Sequence, residues 1–151
     1  MKILLAIDGS KFGEAAVREL ARRQWPAGTE VRVLSVAHAA PYFPDPLLMI
    51  SATHFDSLKD ERERAARDVA AAADEIARCA PGLKVTTQVL EGSPKKVIVE
   101  EAERWKSDLI FVGSHGYGPT ERFLLGSVAQ AVVTHSPCSV EVVRCHTPAA
   151  A

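Results

Sequence analysis

At 151 residues the chain has the length of one domain with a sizeable core. Hydrophobic residues make up 47% and charged residues 25%, the proportions of an ordinary soluble globule, and a net charge of −1 supplies no basic field for nucleic acid. The apolar start over residues 3–7 is too short for a signal-peptide core and runs straight into Asp8, no stretch approaches a membrane span, and three cysteines without a CxxC spacing fit a reduced cytoplasm.

Strand and helix patterns alternate along the chain. Ile3–Ile7 is a short apolar run, and Ser10 is placed to cap a helix carrying Ala16, Val17, Leu20 and Ala21 at helical spacing. Pro26-Ala27-Gly28 ends that helix, and Val31, Val33, Leu34 and Val36 mark a second strand. Ala37–Phe55 is long for a loop and unusually apolar: Pro41, Pro44 and Pro46 alternate with Tyr42, Phe43, Leu47, Leu48, Met49 and Ile50. Such a segment needs a surface to cover, either the adjacent helix, as a lid over a ligand, or a protein partner.

Ser57-x-x-Asp60 reads as a capping box for a long helix to about Cys79, with Leu58, Ala65, Ala66, Val69, Ala73, Ile76 and Ala77 as its apolar face. Its charges over 59–67 alternate in sign, as on a solvated face. Pro81-Gly82 stops it, and Val85, Val89 and Leu90 mark the third strand. Ser93-Pro94 sets a cap and a proline at the first turn of a helix lined by Val97, Ile98, Ala102 and Trp105. Asp108–Val112 is the fourth strand. Ser127-x-x-Gln130 reads as a second capping box, so the last helix starts at Ser127; Ser136-Pro137 ends it, and Val140–Val143 is the fifth strand. Residues 1–144 form the domain and 145–151 a frayed tail. Cys79 and Cys138 read as small core or near-core residues. The alternation predicts an α/β fold: a single doubly wound domain with a parallel sheet and helices on both faces.

The chemistry concentrates after the fourth strand, in Gly113-Ser114-His115-Gly116-Tyr117-Gly118-Pro119 and on to Gly126-Ser127. A strand that runs into clustered glycines and then a helix is built to hold phosphate, because backbone amides and the helix dipole face the anion. A Walker A loop is excluded, since Pro119 stands where its lysine must be. The dinucleotide fingerprint is excluded too, because these glycines come late and in the wrong order. No nucleophile elbow is present, and the histidines form no zinc ladder; His135-x-x-Cys138 is one isolated pair. No catalytic residue or protein-bound metal is expected.

The spacing Gly113-x2-Gly116-x9-Gly126-Ser127 resembles the ATP-binding branch of the universal stress protein family. Asp8-Gly9-Ser10 after Ile3–Ile7, Glu91-Gly92-Ser93-Pro94, Ser107-Asp108-Leu109-Ile110 and Ser136-Pro137-Cys138-Ser139-Val140 fit the same family in the same order, over roughly residues 2–144. The resemblance implies a five-stranded sheet of order 3-2-1-4-5. In such a sheet the ligand crevice lies outside the carboxyl ends of strands one and four, where Asp8 and Gly113 both fall. It implicates Ala6, Ile7 and Asp8, with Val36 beside the adenine and backbone groups there reading the base edge. Val112 and Gly113 lie on the sugar–phosphate side, and Gly116, Gly126, Ser127 and Val128 hold phosphates through amides and the Ser127 hydroxyl. His115, where the family carries a basic or imidazole group, is a phosphate donor when protonated, and Lys11 and Arg122 are further candidate cations.

The implied cofactor is ATP, with the Mg²⁺ that usually accompanies a triphosphate. The implied role is a nucleotide-dependent stress or regulatory switch; a slow ATP hydrolase and an interaction module with an empty site are the alternatives. No general base or arginine finger is evident for turnover. The resemblance also implies a homodimer through the fifth strand, paired by Val140 and Val142, with Glu141 as a departure that points outward.

Overall fold

The computed structural model describes residues 1–39, 52–116 and 124–145. Its elements run β1 (Lys2–Ala6), α1 (Lys11–Arg22), β2 (Glu30–Ala37), α2 (Ala52–Cys79), β3 (Lys84–Glu91), α3 (Pro94–Trp105), β4 (Leu109–Gly113), α4 (Ser127–His135) and β5 (Ser139–Val143). The five strands are all parallel, in the order β3-β2-β1-β4-β5. Strand order therefore reverses between β1 and β4, the place where an open α/β sheet leaves a crevice.

Alternation along each strand divides the core in two. Ile3, Leu5, Val31, Val33 and Phe111 face α1 and α2, where they pack with Val17, Leu20, Val69 and Ile76. Leu4, Ala6, Leu34 and Ile110 face α3 and α4, against Ile98, Ala102 and Val132. The buried positions of α2 are Ala65, Val69, Ala72 and Ile76, spaced as one helical stripe, whereas Ala66 and Ala77 are exposed. Cys138 packs beside the α3–α4 cluster, but Cys79 is exposed, contrary to its sequence reading.

Helix entry follows capping chemistry in full at α1 and in position only at α3, where Ser93 is the cap residue without a side-chain bond and Pro94 follows it. The Ser10 hydroxyl accepts from the Gly13 amide at 3.3 Å, as expected. α2 begins at Ala52, so Ser57 lies inside the helix and its capping box is not used. The cap of α4 is Gly126 rather than Ser127, which is the first helical residue. The apolar 37–55 segment falls mostly outside the described residues, as do Arg122 and the tail from 146.

At the amino ends of the strands, charged groups satisfy one another. Glu101, fully buried on α3, receives Arg32 of β2 at 2.5 Å and also binds Arg104. The Arg32 guanidinium lies 4.3 Å from the Trp105 ring centre. Lys2 donates its amide to Asp108 at 2.7 Å and its ammonium to the Trp105 carbonyl at 3.3 Å. On β5, Glu141 does not point out to solvent: it lies on the α1 side and forms a two-pronged ion pair with Arg23, which also binds Glu19. The Glu141 hydrogen bond, with that of Glu19, raises the Arg23 pKa above its ordinary value, so the guanidinium stays charged.

Candidate functional site

A crevice of about 1120 Å³ opens at the carboxyl ends of the strands, at the upper end of the size typical of ligand sites. Ala6, Ile7, Asp8, Val36, Val112, Gly113, His115, Gly116, Gly126, Ser127 and Val128 all line it. Residues more than a hundred positions apart thus meet because β1 and β4 are adjacent and both stop at the crevice floor.

The relative lengths of β1 and β2 create the first binding feature. In β2 the even-numbered residues direct their backbone groups toward β1: Glu30 donates to Met1, and Leu34 accepts from Ile7, both at 2.9 Å. The odd-numbered residues face β3, where Ala37 accepts from Gly92 at 2.9 Å. The β1 register ends at Ala6 opposite Leu34. Val36 therefore turns its N–H and C=O toward β1 after β1 has ended, and neither has a backbone partner among the described residues. A donor and an acceptor stand side by side at the crevice wall.

The second feature is the meeting of the Asp8 turn with the glycine loop. Asp8 accepts from the Ser10 amide at 3.0 Å through Oδ1, while Gly9 takes φ 76° to close the turn. The other carboxylate oxygen faces the loop: a Cβ on Gly116 would sit 2.7 Å from Asp8 Oδ2. A Cβ on Gly113 would lie 2.7 Å from the Phe12 backbone, and one on Gly126 would lie 3.0 Å from His115 Cα. None of these three glycines has positive φ. At Gly113 and Gly126 neighbouring backbone leaves little room for a side chain, and at Gly116 the Asp8 carboxylate does the same. Replacing Gly116 or Gly126 with valine therefore disturbs packing as well as any ligand.

The third feature is the start of α4. The Gly126 amide is already bonded to the Ser114 carbonyl at 2.7 Å, so it is not free to hold an anion. With no side-chain cap, the amides of Ser127, Val128 and Ala129 remain open beside the Ser127 hydroxyl. His115 is turned onto α1. Its ring centre lies 5.1 Å from that of Phe12, Nδ1 shares a hydrogen bond with the Ser114 hydroxyl at 3.0 Å, and Nε2 is buried without a partner. Lys11 lies over the Phe12 ring and outside the crevice lining.

Sequence reasoning missed a wall. Ser57, Glu61, Arg64, Ala65 and Asp68 of α2 line the crevice, with Lys95 and Ile98 of α3. The spacing 57, 61, 64, 65, 68 is one helical face, which was visible in the sequence but read as solvated charge. His38 holds Glu61 through Nδ1 at 2.7 Å and its amide at 3.2 Å, and the His38 hydrogen bond keeps the Glu61 carboxyl below its ordinary pKa. Among the described residues no cluster of His, Cys, Asp and Glu fits a metal ion, and no helix is long and apolar enough to cross a membrane.

A doubly wound parallel sheet with an anion-ready helix start at its switch point defines a class of α/β domain. Within it, the chain belongs to the universal stress protein family, whose model matches residues 1–144. Universal stress protein MJ0531 of Methanocaldococcus jannaschii is 34% identical over 143 residues, covering 95% of this chain and 81% of that protein. A putative universal stress protein of Staphylococcus haemolyticus is 32% identical over 147 residues, covering 94% and 83%. Among solved structures, that of MJ0577 matches with a TM-score of 0.80 at 27% identity, covering 97% of this chain and 96% of that one. Universal stress protein UspA of Lactobacillus plantarum matches at 0.76 and 30% identity, covering 95% and 97%.

Proposed function

We propose that this universal stress protein binds ATP in the crevice and serves as a nucleotide-dependent regulatory switch in the cytoplasm. The observation that carries the reading is the pairing of two complementary features in one crevice. The open Val36 N–H and C=O match the N1 acceptor and N6 donor of adenine, which are adjacent on one edge of the base. The open amides of Ser127, Val128 and Ala129, with the positive end of the α4 dipole, suit phosphate at the other side. Asp8, between them, has the chemistry to accept from ribose hydroxyls. More distant members have been solved with cAMP bound and, from Arabidopsis thaliana, with AMP bound, at 21% and 19% identity; they show that a fold of this kind accepts an adenine nucleotide.

Mg²⁺ enters this reading as the companion of a triphosphate rather than as a protein-held metal. The glycine-loop motif carries no evident general base or arginine finger for hydrolysis, so the bound nucleotide is expected to persist. Mass spectrometry of gently purified protein tests the reading. Co-purified ATP supports the switch, ADP favours a slow hydrolase, and an empty site favours an interaction module.

The reading includes a homodimer through β5. Val140 and Val142 are half-buried on this edge strand, and an unpaired edge is a template for a second copy. The Arg23 pair draws Glu141 back to α1, which removes the charge that stood against this pairing. Val142→Lys is expected to shift the light-scattering mass at micromolar concentration from dimer to monomer. A monomeric parent protein rejects the dimer.

A further inference from the structure

The α2 wall of the crevice carries an inference that builds on the nucleotide reading and extends it. Hydrogen bonds made by Val36 lie in the plane of the sheet, so a base bound there continues the sheet in the space above Ile7. Its two faces are then turned to the two helical layers. The layer on one side is α2, which packs against β2 and β3.

What α2 offers to that face is specific. The neighbours of Arg64 on this helix are engaged: Glu61 with His38, and Arg62 with Glu91 at 2.8 Å. Arg64 lines the crevice and has no hydrogen-bond or ion-pair partner among the described residues. Glu61, one turn back, feels the Arg64 charge, but the two form no ion pair, and Asp68, one turn on, makes none with Arg64 either. Beside it Ala65, Ala37 and Gly13 are small, leaving space between helix and strand. Ser35 lines the same recess; the residue is 4% exposed, and its hydroxyl makes no hydrogen bond among the described residues. By strand alternation Ser35 shares its face of β2 with Val31 and Val33, which pack on the α1–α2 side. Its oxygen is not sealed off, so it opens into the crevice where a ligand can reach it.

We propose that Arg64 is a base-contacting residue, its guanidinium stacking on the face of the purine turned to α2, with the Ser35 hydroxyl bonding a polar atom of the base beneath it. A guanidinium is planar and weakly hydrated, and it stacks on aromatic faces more readily than an ammonium does. Arg64 is exposed on its helix, so its replacement leaves the core intact. The contact discriminates between parts of the ligand: it acts on the base and not on the phosphates, which belong to the α4 start.

The test is titration calorimetry of the full chain and of Arg64→Gln, Arg64→Lys and Ser35→Ala with adenosine, ATP and inorganic tripolyphosphate. Arg64→Gln is expected to weaken adenosine and ATP by the same factor, about 3- to 20-fold, and to leave tripolyphosphate unchanged. Arg64→Lys is expected to recover little of the loss, because the charge returns without the stacking plane. Ser35→Ala is expected to weaken adenosine and ATP in the same pattern, by a smaller factor. A loss for ATP and tripolyphosphate with adenosine untouched makes Arg64 a phosphate contact and overturns the proposal, as does binding of all three ligands that Arg64→Gln leaves unchanged. A parent protein that binds neither adenosine nor ATP is a different result and sinks the nucleotide reading itself.

Discussion

The two ends of the sheet treat polar groups in opposite ways. At the amino ends, Glu101 is fully buried yet doubly paired, Arg32 is bonded and stacked, and Lys2 and Asp108 close the first strand onto the fourth. At the carboxyl ends, the Val36 backbone groups, the amides at the α4 start, the Arg64 guanidinium and the Ser35 hydroxyl make no hydrogen bonds among the described residues. These groups line or open onto the crevice, where a ligand can supply the missing contacts, whereas the closed end keeps a single exception among the described residues, the buried and unpartnered Ser107 Oγ. The closed end holds the frame that the open end needs: strands of fixed register stop at fixed heights, and the β1–β2 offset at Val36 follows from that.

The comparison breaks most severely at Glu101. Glu101→Ala strands Arg32 beneath α3, and is expected to lower unfolding stability by roughly 2 to 4 kcal/mol in urea at neutral pH, somewhat less than for a fully enclosed pair because Arg32 reaches water in part. Nucleotide affinity of the folded protein should hardly change. An affinity loss without a stability loss would mean that the two ends are not divided in this way.

The opposite pattern is expected at Ser127. Ser127→Ala removes a hydroxyl from the phosphate side and no internal hydrogen bond, since Gly126 rather than Ser127 caps α4. Binding of ATP should weaken roughly 10-fold or more, in line with a hydrogen bond to a charged group, with unfolding stability unchanged. Calorimetry and urea unfolding on one preparation separate the two effects.

The smallest effect concerns pH at the crevice rim. The His38 hydrogen bond holds the Glu61 carboxyl below its ordinary range, so the pair contributes its full stability above the normal carboxylate pKa and loses it as pH falls through the lowered value. Both side chains reach solvent, which screens the gain to about half a kcal/mol or less. Thermal unfolding between neutral and acid pH should fall slightly less steeply for Glu61→Gln than for the parent chain. An equal slope would leave the pair without measurable weight.

The open end was partly legible in the sequence and the closed end hardly at all. The parallel sheet was readable because apolar runs alternating with helical stripes leave few topologies, while its strand order, and with it the convergence of Asp8 with Gly113, was implied by the family resemblance. Capping letters misled at Ser57, and at Ser127 they found the helix start but not the cap: a serine three residues before an acid or amide fits helix interiors as well as helix starts, and packing decides between them. The glycines were recognised, but their reason was not, since close approach of Phe12, Asp8 and His115 is a tertiary fact. Glu101 and Arg32 are 69 positions apart, and nothing local marks them as partners. Arg64 was hidden in a charge-rich helix, where only the crevice distinguishes it from Arg62 and Arg67.

The central claim is that the open end reads adenine at Val36 and phosphate at α4. Calorimetric titration of the parent protein with ATP and GTP, side by side, tests it most directly. The account predicts one ATP per chain and GTP binding at least tenfold weaker, because guanine presents an N1–H donor where Val36 already presents its own N–H. Equal affinity for the two nucleotides, or no heat with ATP, would contradict it.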